Sequence, residues 1–459
     1  MSFYKRKDGA EQPYWPVGPF KVRLPLVHYR LEKVEFIQAL ILFVVSLAMI
    51  PLLEKYLGLP YDVALAYVFV CGVGFMMPAL LGVPFVPGWI TPGIPVVLLF
   101  LQQFKAGPEA IRALVALQLL VAAIFLILGI TKLSSKVVKH VPLSLKSGIL
   151  LGAGIAAIMG EIKVGGRLPT TPIAIAIGTG VCLFTLFSIS FAEIRKRNKL
   201  ASMLAAYGMV PAMVVAIALG IVASEYTFPA IQWGITIPAF GEMFNYLPIT
   251  LGFPGLDLFI AAIPTAITAY VIAFGDVIVG TELVRASADE VRTDEIVDTD
   301  TDRVHIVTGL RNVLHSFLAP YPGLAGPIWT AVTATVADRY RYGRKSMDSI
   351  FSGAGTFWIA GFIALFMLPL VSFFKPFLPI GLSLTMMVTG YICIVTGFKQ
   401  ISKPVEIGVA GTMAVVLATH GAFYGLGVGV LLHLIMERNI AAKRATPRVE
   451  KRVATSEAA

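Results

Sequence analysis

Apolar runs closed by glycine, proline or charge follow one another along nearly the whole chain, at the length of a bilayer crossing. Runs at residues 36–57, 63–81, 108–130, 143–159, 172–192 and 200–224, then 258–284, 304–317, 350–371, 380–398, 404–420 and 423–435, each predict a membrane-crossing helix. About 20 apolar residues rising 1.5 Å each cover the hydrocarbon thickness. Two further runs, 93–104 and 327–336, are equally apolar but too short to cross. Counting them, the pattern reads as an all-α polytopic membrane protein of fourteen transmembrane segments.

Composition agrees. Of 459 residues 57% are hydrophobic and 14% charged, against about 25% charged in soluble domains, which excludes a soluble globule. The charge of +10 points to basic cytoplasmic loops rather than to nucleic acid. Basic residues fall on alternate loops: Lys132, Lys136, Lys139 and Lys146, then Arg195, Lys196, Arg197 and Lys199, then Arg339, Arg341, Arg344 and Lys345, then Lys399 and Lys403. The intervening loops hold scattered charges such as Lys55, Lys105, Lys163 and Arg167. Both termini are therefore expected on the cytoplasmic side of a cytoplasmic (inner) membrane, with Lys136, Lys139, Arg195 and Lys196 placed to meet anionic lipid heads. The acidic run 288–303 reads as a solvated loop. Cys71, Cys182 and Cys393 sit in apolar runs at no metal-binding spacing and read as small core residues.

Proline breaks two segments at matching places. Pro84, Pro87, Pro92 and Pro95 fall within twelve residues around Trp89, Thr91, Gly93 and Ile94, and Pro320, Pro322 and Pro327 surround Tyr321, Gly326, Ile328, Trp329 and Thr330. No helix survives that proline density. Each broken stretch is the third segment of its half, which gives a seven-plus-seven repeat. Because seven is odd the halves are inverted, the design of secondary transporters. The expectation is two half-helices, each preceded by a short extended stretch, starting at Gly93 or Ile94 and at Pro327 or Ile328. Their N-terminal N–H groups would meet near the midplane and favour an anionic or acceptor-rich ligand.

Asp276 is the sharpest polar residue at membrane depth, because its run carries no other charge before Glu282. A carboxylate there costs about 2.5 kcal/mol or more unless it is satisfied, which marks it as a coupling residue for a proton or sodium. Thr265, Thr268 and Tyr270 precede it, and Gln38 lies in the first segment. Trp89 and Tyr321 are candidates to stack on a flat ligand. The substrate-binding set is thus Gln38, Trp89, Thr91, Gly93, Ile94, Tyr270, Asp276, Tyr321, Gly326, Ile328, Trp329 and Thr330. No nucleophile–base set, phosphate-cradling loop or metal cluster is recognisable, so neither catalysis nor a cofactor beyond the coupling ion is expected. An ion-coupled secondary transporter working by alternating access fits these features, and an uncoupled anion exchanger or channel is the alternative.

Several stretches resemble the nucleobase–ascorbate (xanthine/uracil permease) family, whose fold is shared with sulfate permeases and bicarbonate exchangers. Phe36-Ile37-Gln38-Ala39 through Met49-Ile50-Pro51-Leu52-Leu53 is similar to its first segment, and Ile272-Ala273-Phe274-Gly275-Asp276 to its Glu-x-x-Gly-Asp. The resemblance covers roughly residues 30 to 437. It implies a core domain (35–131 and 257–375) and a gate domain (132–226 and 376–437), with a cytoplasmic N-terminal segment (1–34), an extracytoplasmic connection (227–256), a cytoplasmic tail (438–459) and a homodimer. Ile272 stands where the family keeps a substrate-binding Glu, and Gly326-Pro327-Ile328-Trp329 replaces its Asn-x-Gly. Without those polar groups the expected substrate is a small anion, with a flat heterocycle such as uracil or xanthine as the alternative.

Overall fold

A computed structural model describes residues 3–134, 136 and 141–437. The tail 438–459 and Lys139 lie outside the described residues. The molecule is mostly helical. Its first half contains α1 (Lys33–Leu42), α2 (Val44–Leu47), α3 (Ile50–Leu57), α4 (Tyr61–Leu80), α5 (Ile94–Leu101), α6 (Pro108–Ile130), α7 (Leu143–Ile162), α8 (Pro172–Phe187), α9 (Ile189–Arg197), α10 (Lys199–Ala206) and α11 (Val210–Val222). The second half contains α12 (Leu256–Val291), α13 (Thr301–Leu318), α14 (Thr330–Tyr340), α15 (Ile350–Phe366), α16 (Leu368–Phe374), α17 (Leu378–Lys399), α18 (Pro404–His420) and α19 (Ala422–Leu432). Among the described residues six helical stretches are long and apolar enough to cross a membrane unaided, and two bent pairs raise that to eight.

The bends have local causes. The run expected to continue from α8 stops at Ser188, whose hydroxyl accepts the N–H of Phe191 and starts α9 at 65° to α8. Asn198 then caps α10 by accepting from the N–H groups of Leu200 and Ala201. The span expected over 200–224 is broken by a 90° bend, where Gly208 takes a φ of +58° that only glycine adopts cheaply.

Helix packing falls into two groups. α1, α4 and α6 pack on α12, α13 and α15, while α7 and α8 pack on α11, α17 and α18. Within the second group α7 and α17 touch at glycines: a Cβ on Gly154 would lie 2.8 Å from the Gly390 carbonyl oxygen, and one on Gly390 2.9 Å from that of Gly154. Small residues let helix backbones approach where lipid removes any hydrophobic drive between helices.

The acidic run does not remain a solvated loop. Residues Glu295–Ile296 form a strand, β5, that pairs in parallel with β1 (Ala10–Glu11), beside a hairpin of β2 (Trp15–Val17) and β3 (Phe20–Val22). Arg292 holds Asp294 at 2.6 Å and Arg6 holds it at 3.0 Å, Lys21 and Arg303 share Asp298, and buried Glu295 accepts from Tyr340 and Ser349. The neighbouring arginines, Arg292 first, hold the Asp294 carboxyl down at about 2, whereas burial pushes Glu295 up. The sequence pattern shows a block of like charge; the partners that neutralise it are Arg292 and Arg303 of the run itself, together with Arg6 and Lys21 of the N-terminal segment, some 280 residues away.

Candidate functional site

The two proline-broken stretches meet each other. β4 (Gly88–Trp89) and β6 (Ala325–Gly326) form an antiparallel pair with Gly88 opposite Gly326 and Trp89 opposite Ala325. The pairing continues outward: Ile90 N–H reaches the Gly323 carbonyl at 3.0 Å, and Trp329 N–H reaches that of Val86 at 2.7 Å. Extended backbone buried in an apolar body must find partners for its polar groups, and neighbouring side chains supply the rest. Asn312 accepts from the Ala325 N–H at 2.9 Å and donates to its carbonyl at 2.8 Å. Arg311 donates to the carbonyls of Gly326 at 2.6 Å and Gly88 at 3.2 Å. The Trp358 indole donates to the Pro87 carbonyl at 3.0 Å, and the Val86 N–H donates to the Thr333 hydroxyl at 3.1 Å.

Each strand leads into a helix, and the two beginnings differ. After β4 a 3₁₀ turn at Thr91–Gly93 precedes α5, and the N–H groups of Gly93 and Ile94 return to Ile90 and Thr91. After β6 the chain bends at Pro327 and is extended at Trp329, so α14 begins at Thr330 rather than at Pro327 or Ile328. The cause is the Trp329 to Val86 hydrogen bond, which keeps that residue in strand conformation. Trp329 offers α14 no side-chain acceptor, leaving its first-turn N–H groups without partners inside the helix. The anion-favouring end is therefore α14 more than α5.

Beside the strand pair lies a cavity of about 50 Å³ lined by Trp89, Thr91, Pro92, Asp276, Ile328, Trp329 and Thr330, and on its far wall by Met209 of the α10–α11 bend and Thr385, Val388, Thr389, Ile392 and Cys393 of α17. Six of the twelve sequence-derived site residues thus come together: Trp89, Thr91, Asp276, Ile328, Trp329 and Thr330. The Asp276 carboxylate has no ion-pair partner among the described residues. Thr330 and Ile392 also line a larger cavity of about 650 Å³. That cavity runs to Arg195, Asp338 and Lys399, on the face that carries the basic loops.

The other six lie elsewhere. Tyr270 precedes Asp276 by one and two-thirds helical turns, so it leaves α12 on another face and bonds His305 at 3.2 Å. Tyr321 is fully buried against Trp89, their rings stacked rather than open to a flat ligand. Gln38 is buried, with no hydrogen-bond partner for either amide atom among the described residues, and does not line the cavity. Gly326 is spent in β6 and Gly93 in the 3₁₀ turn, while Ile94 lines a separate cavity with Lys55, Gln102 and Arg167. Of the basic residues assigned to lipid, Arg195 pairs with Asp338 at 3.4 Å and Lys196 with Glu193 at 2.6 Å.

Arg311 and Asn312 were missed by the sequence reading, although a cation inside the 304–317 run was itself a signal. The hydroxyls of Thr385 and Thr389 carried no such signal, because α17 reads as one more apolar span.

No protein-family model and no curated protein sequence matches the chain. Solved structures do. The fold is similar to the transmembrane domain of a cyanobacterium bicarbonate transporter, BicA, with a TM-score of 0.53 and 16% identity over 87% of this chain and 97% of that one. It is equally similar to SLC26A9, with a TM-score of 0.53 and 16% identity over 88% of this chain, which spans 65% of that protein's length. At this identity the likeness is one of fold: the chain is a multi-helix membrane protein with the architecture shared by these two structures.

Proposed function

We propose that this chain is a secondary transporter that moves a small anion across the cytoplasmic membrane by alternating access, coupled through Asp276 to a proton or sodium ion. The observation that carries the reading is the cavity where the strand pair, the uncapped start of α14 and the Asp276 carboxylate converge. Its volume of about 50 Å³ exceeds the 10–15 Å³ or so that one water needs. It falls far below the several hundred Å³ typical of sites for drug-sized organic ligands. A hydrated or bare inorganic anion, or a one- to two-carbon carboxylate, matches that size better than a purine. The similar bicarbonate transporter is in keeping with this.

Electrostatics supplies the coupling. An ionised Asp276 repels an anion in the same cavity, and a proton or sodium ion on it removes the repulsion. Each ligand then strengthens binding of the other, as reciprocal linkage requires. The remaining elements of the proposal are fourteen segments in a seven-plus-seven inverted repeat, both termini cytoplasmic, a homodimer, and a core domain (35–131 and 257–375) moving against a gate domain (132–226 and 376–437). The two packing groups and the cavity wall they share support that division. The path through Thr330 and Ile392 to the basic face supports an inward-open state. Nothing in this arrangement calls for catalysis. The partners it does call for are the anion and the surrounding lipid.

The test is uptake by purified protein in proteoliposomes, with labelled bicarbonate, formate, chloride and sulfate offered beside uracil and xanthine under imposed proton and sodium gradients. Concentrative uptake of a small anion driven by one gradient is expected. Uptake of a nucleobase uncompeted by any anion would overturn the reading, and gradient-independent exchange would reduce it to an uncoupled exchanger.

A further inference from the structure

We propose that Arg311 is the fixed positive charge that makes the central cavity an anion site, and that with Asp276 it sets the charge of the substrate at minus one. This rests on reading the cavity as a transport site. Arg311 is fully buried in α13, and its guanidinium ends on the carbonyls of Gly326 and Gly88 while Nε has no partner among the described residues. Other buried arginines have carboxylates: Arg23 has Glu11 at 2.7 Å and Arg292 has Asp294 at 2.6 Å. Arg311 has none within ion-pair distance among the described side chains. The Phe75 ring lies 5.1 Å from it, and ring and carbonyls orient dipoles toward the charge without neutralising it.

An uncompensated cation inside an apolar body is retained at a cost, and its position indicates what offsets that cost. The two carbonyls belong to β4 and β6. Trp89 follows the first and Ile328 lies two residues after the second, and both line the cavity. The guanidinium is thus bonded to the two strands whose neighbouring residues line the cavity, where a low dielectric leaves its field strong.

The charge count follows. With Asp276 ionised, Arg311 and Asp276 sum to zero; with Asp276 neutralised by its co-ion, the site is left at plus one and favours one monovalent anion. The other titratable groups here are Cys71 on α4 and His315 on α13 near Arg311, Tyr321 near Cys71, and Cys393 on α17 near Asp276. All of these are neutral in their ordinary forms at neutral pH or nearly so, and they leave the sum unchanged.

The experiment measures anion-dependent thermal stabilisation and flux for wild type, Arg311→Lys, Arg311→Gln and Cys71→Asp, with formate as the probe, formamide as its uncharged analogue and sulfate as the divalent comparison. Wild type is expected to bind formate over both. Arg311→Lys should keep that preference within about threefold, and Arg311→Gln should weaken formate at least tenfold relative to formamide. A purely structural role would lower the melting temperature without moving that ratio. Cys71→Asp retains Arg311 and its hydrogen bonds while placing a carboxylate beside it, and should weaken formate similarly even if the Gln variant does not fold. Wild-type preference in either neutralised variant would overturn the role of Arg311 while leaving the transport reading intact. Absence of any anion binding by wild type would remove the transport reading first.

Discussion

Trp89 and Tyr321 stack on one another, ring centroids 5.7 Å apart and planes 29° from parallel, one from each proline-broken stretch. Tyr321 also donates its hydroxyl to the Ser46 carbonyl at 3.2 Å. The faces that could have held a flat heterocycle are occupied by each other, and the pair locks the strand crossing to α2.

Uracil and xanthine should therefore leave the melting temperature unchanged at millimolar concentration, whereas a bound small anion at 100 times its Kd should stabilise by about 2.7 kcal/mol. Tyr321→Ala should cost roughly 3 kcal/mol or more, since it removes a fully buried ring. Chemical or thermal denaturation in detergent checks both.

Glycine at the crossing is structural. A Cβ at Gly326 would lie 2.5 Å from the carbonyl carbon and oxygen of Trp89, whereas one at Gly93 would meet side chains, Ile90 at 3.1 Å and Ile272 at 4.0 Å. Gly326→Val should lose stability and anion binding together, by at least the 1–3 kcal/mol or so typical of overpacking. Gly93→Ala should leave both nearly intact. Parallel melting curves and binding isotherms decide; a stable Gly326→Val protein would mean the strands are not paired.

Asp276→Asn removes the titratable charge at nearly constant volume. Anion affinity should become independent of pH and sodium, and concentrative uptake should vanish while counterflow exchange persists. In wild type, affinity should rise as pH falls or as sodium is added. Accumulation by the variant against a gradient would show that coupling lies at another residue.

Asp294 ties the N-terminal segment to the bundle through Arg6 and Arg292. Its carboxyl is lowered from 3.8 to about 2, so the stability it contributes is fully present above pH about 4 and is lost as pH falls through about 2. At neutral pH, Asp294→Asn should expose Lys5, Arg6 and Lys7 to trypsin while wild type resists. Equal cleavage rates would show that the ion pair does not hold the segment.

The membrane class, the two broken stretches and the isolated carboxylate were legible in the chain because each is a local property. A bilayer imposes a length on apolar runs, proline removes a donor wherever it stands, and a lone Asp in an apolar run is costly whatever surrounds it. Pairings across more than 200 residues were not legible. That Gly88 faces Gly326, that Arg311 rather than a second helix end serves both strands, and that α14 starts at Thr330 all follow from buried carbonyls and N–H groups finding partners. Such partners become neighbours only once the helices have packed. The same holds for the cavity: Tyr270 and Asp276 share a helix, yet only Asp276 faces α17 across it, because the rotation of α12 is set by its contacts with α6 and α14 and not by its own sequence.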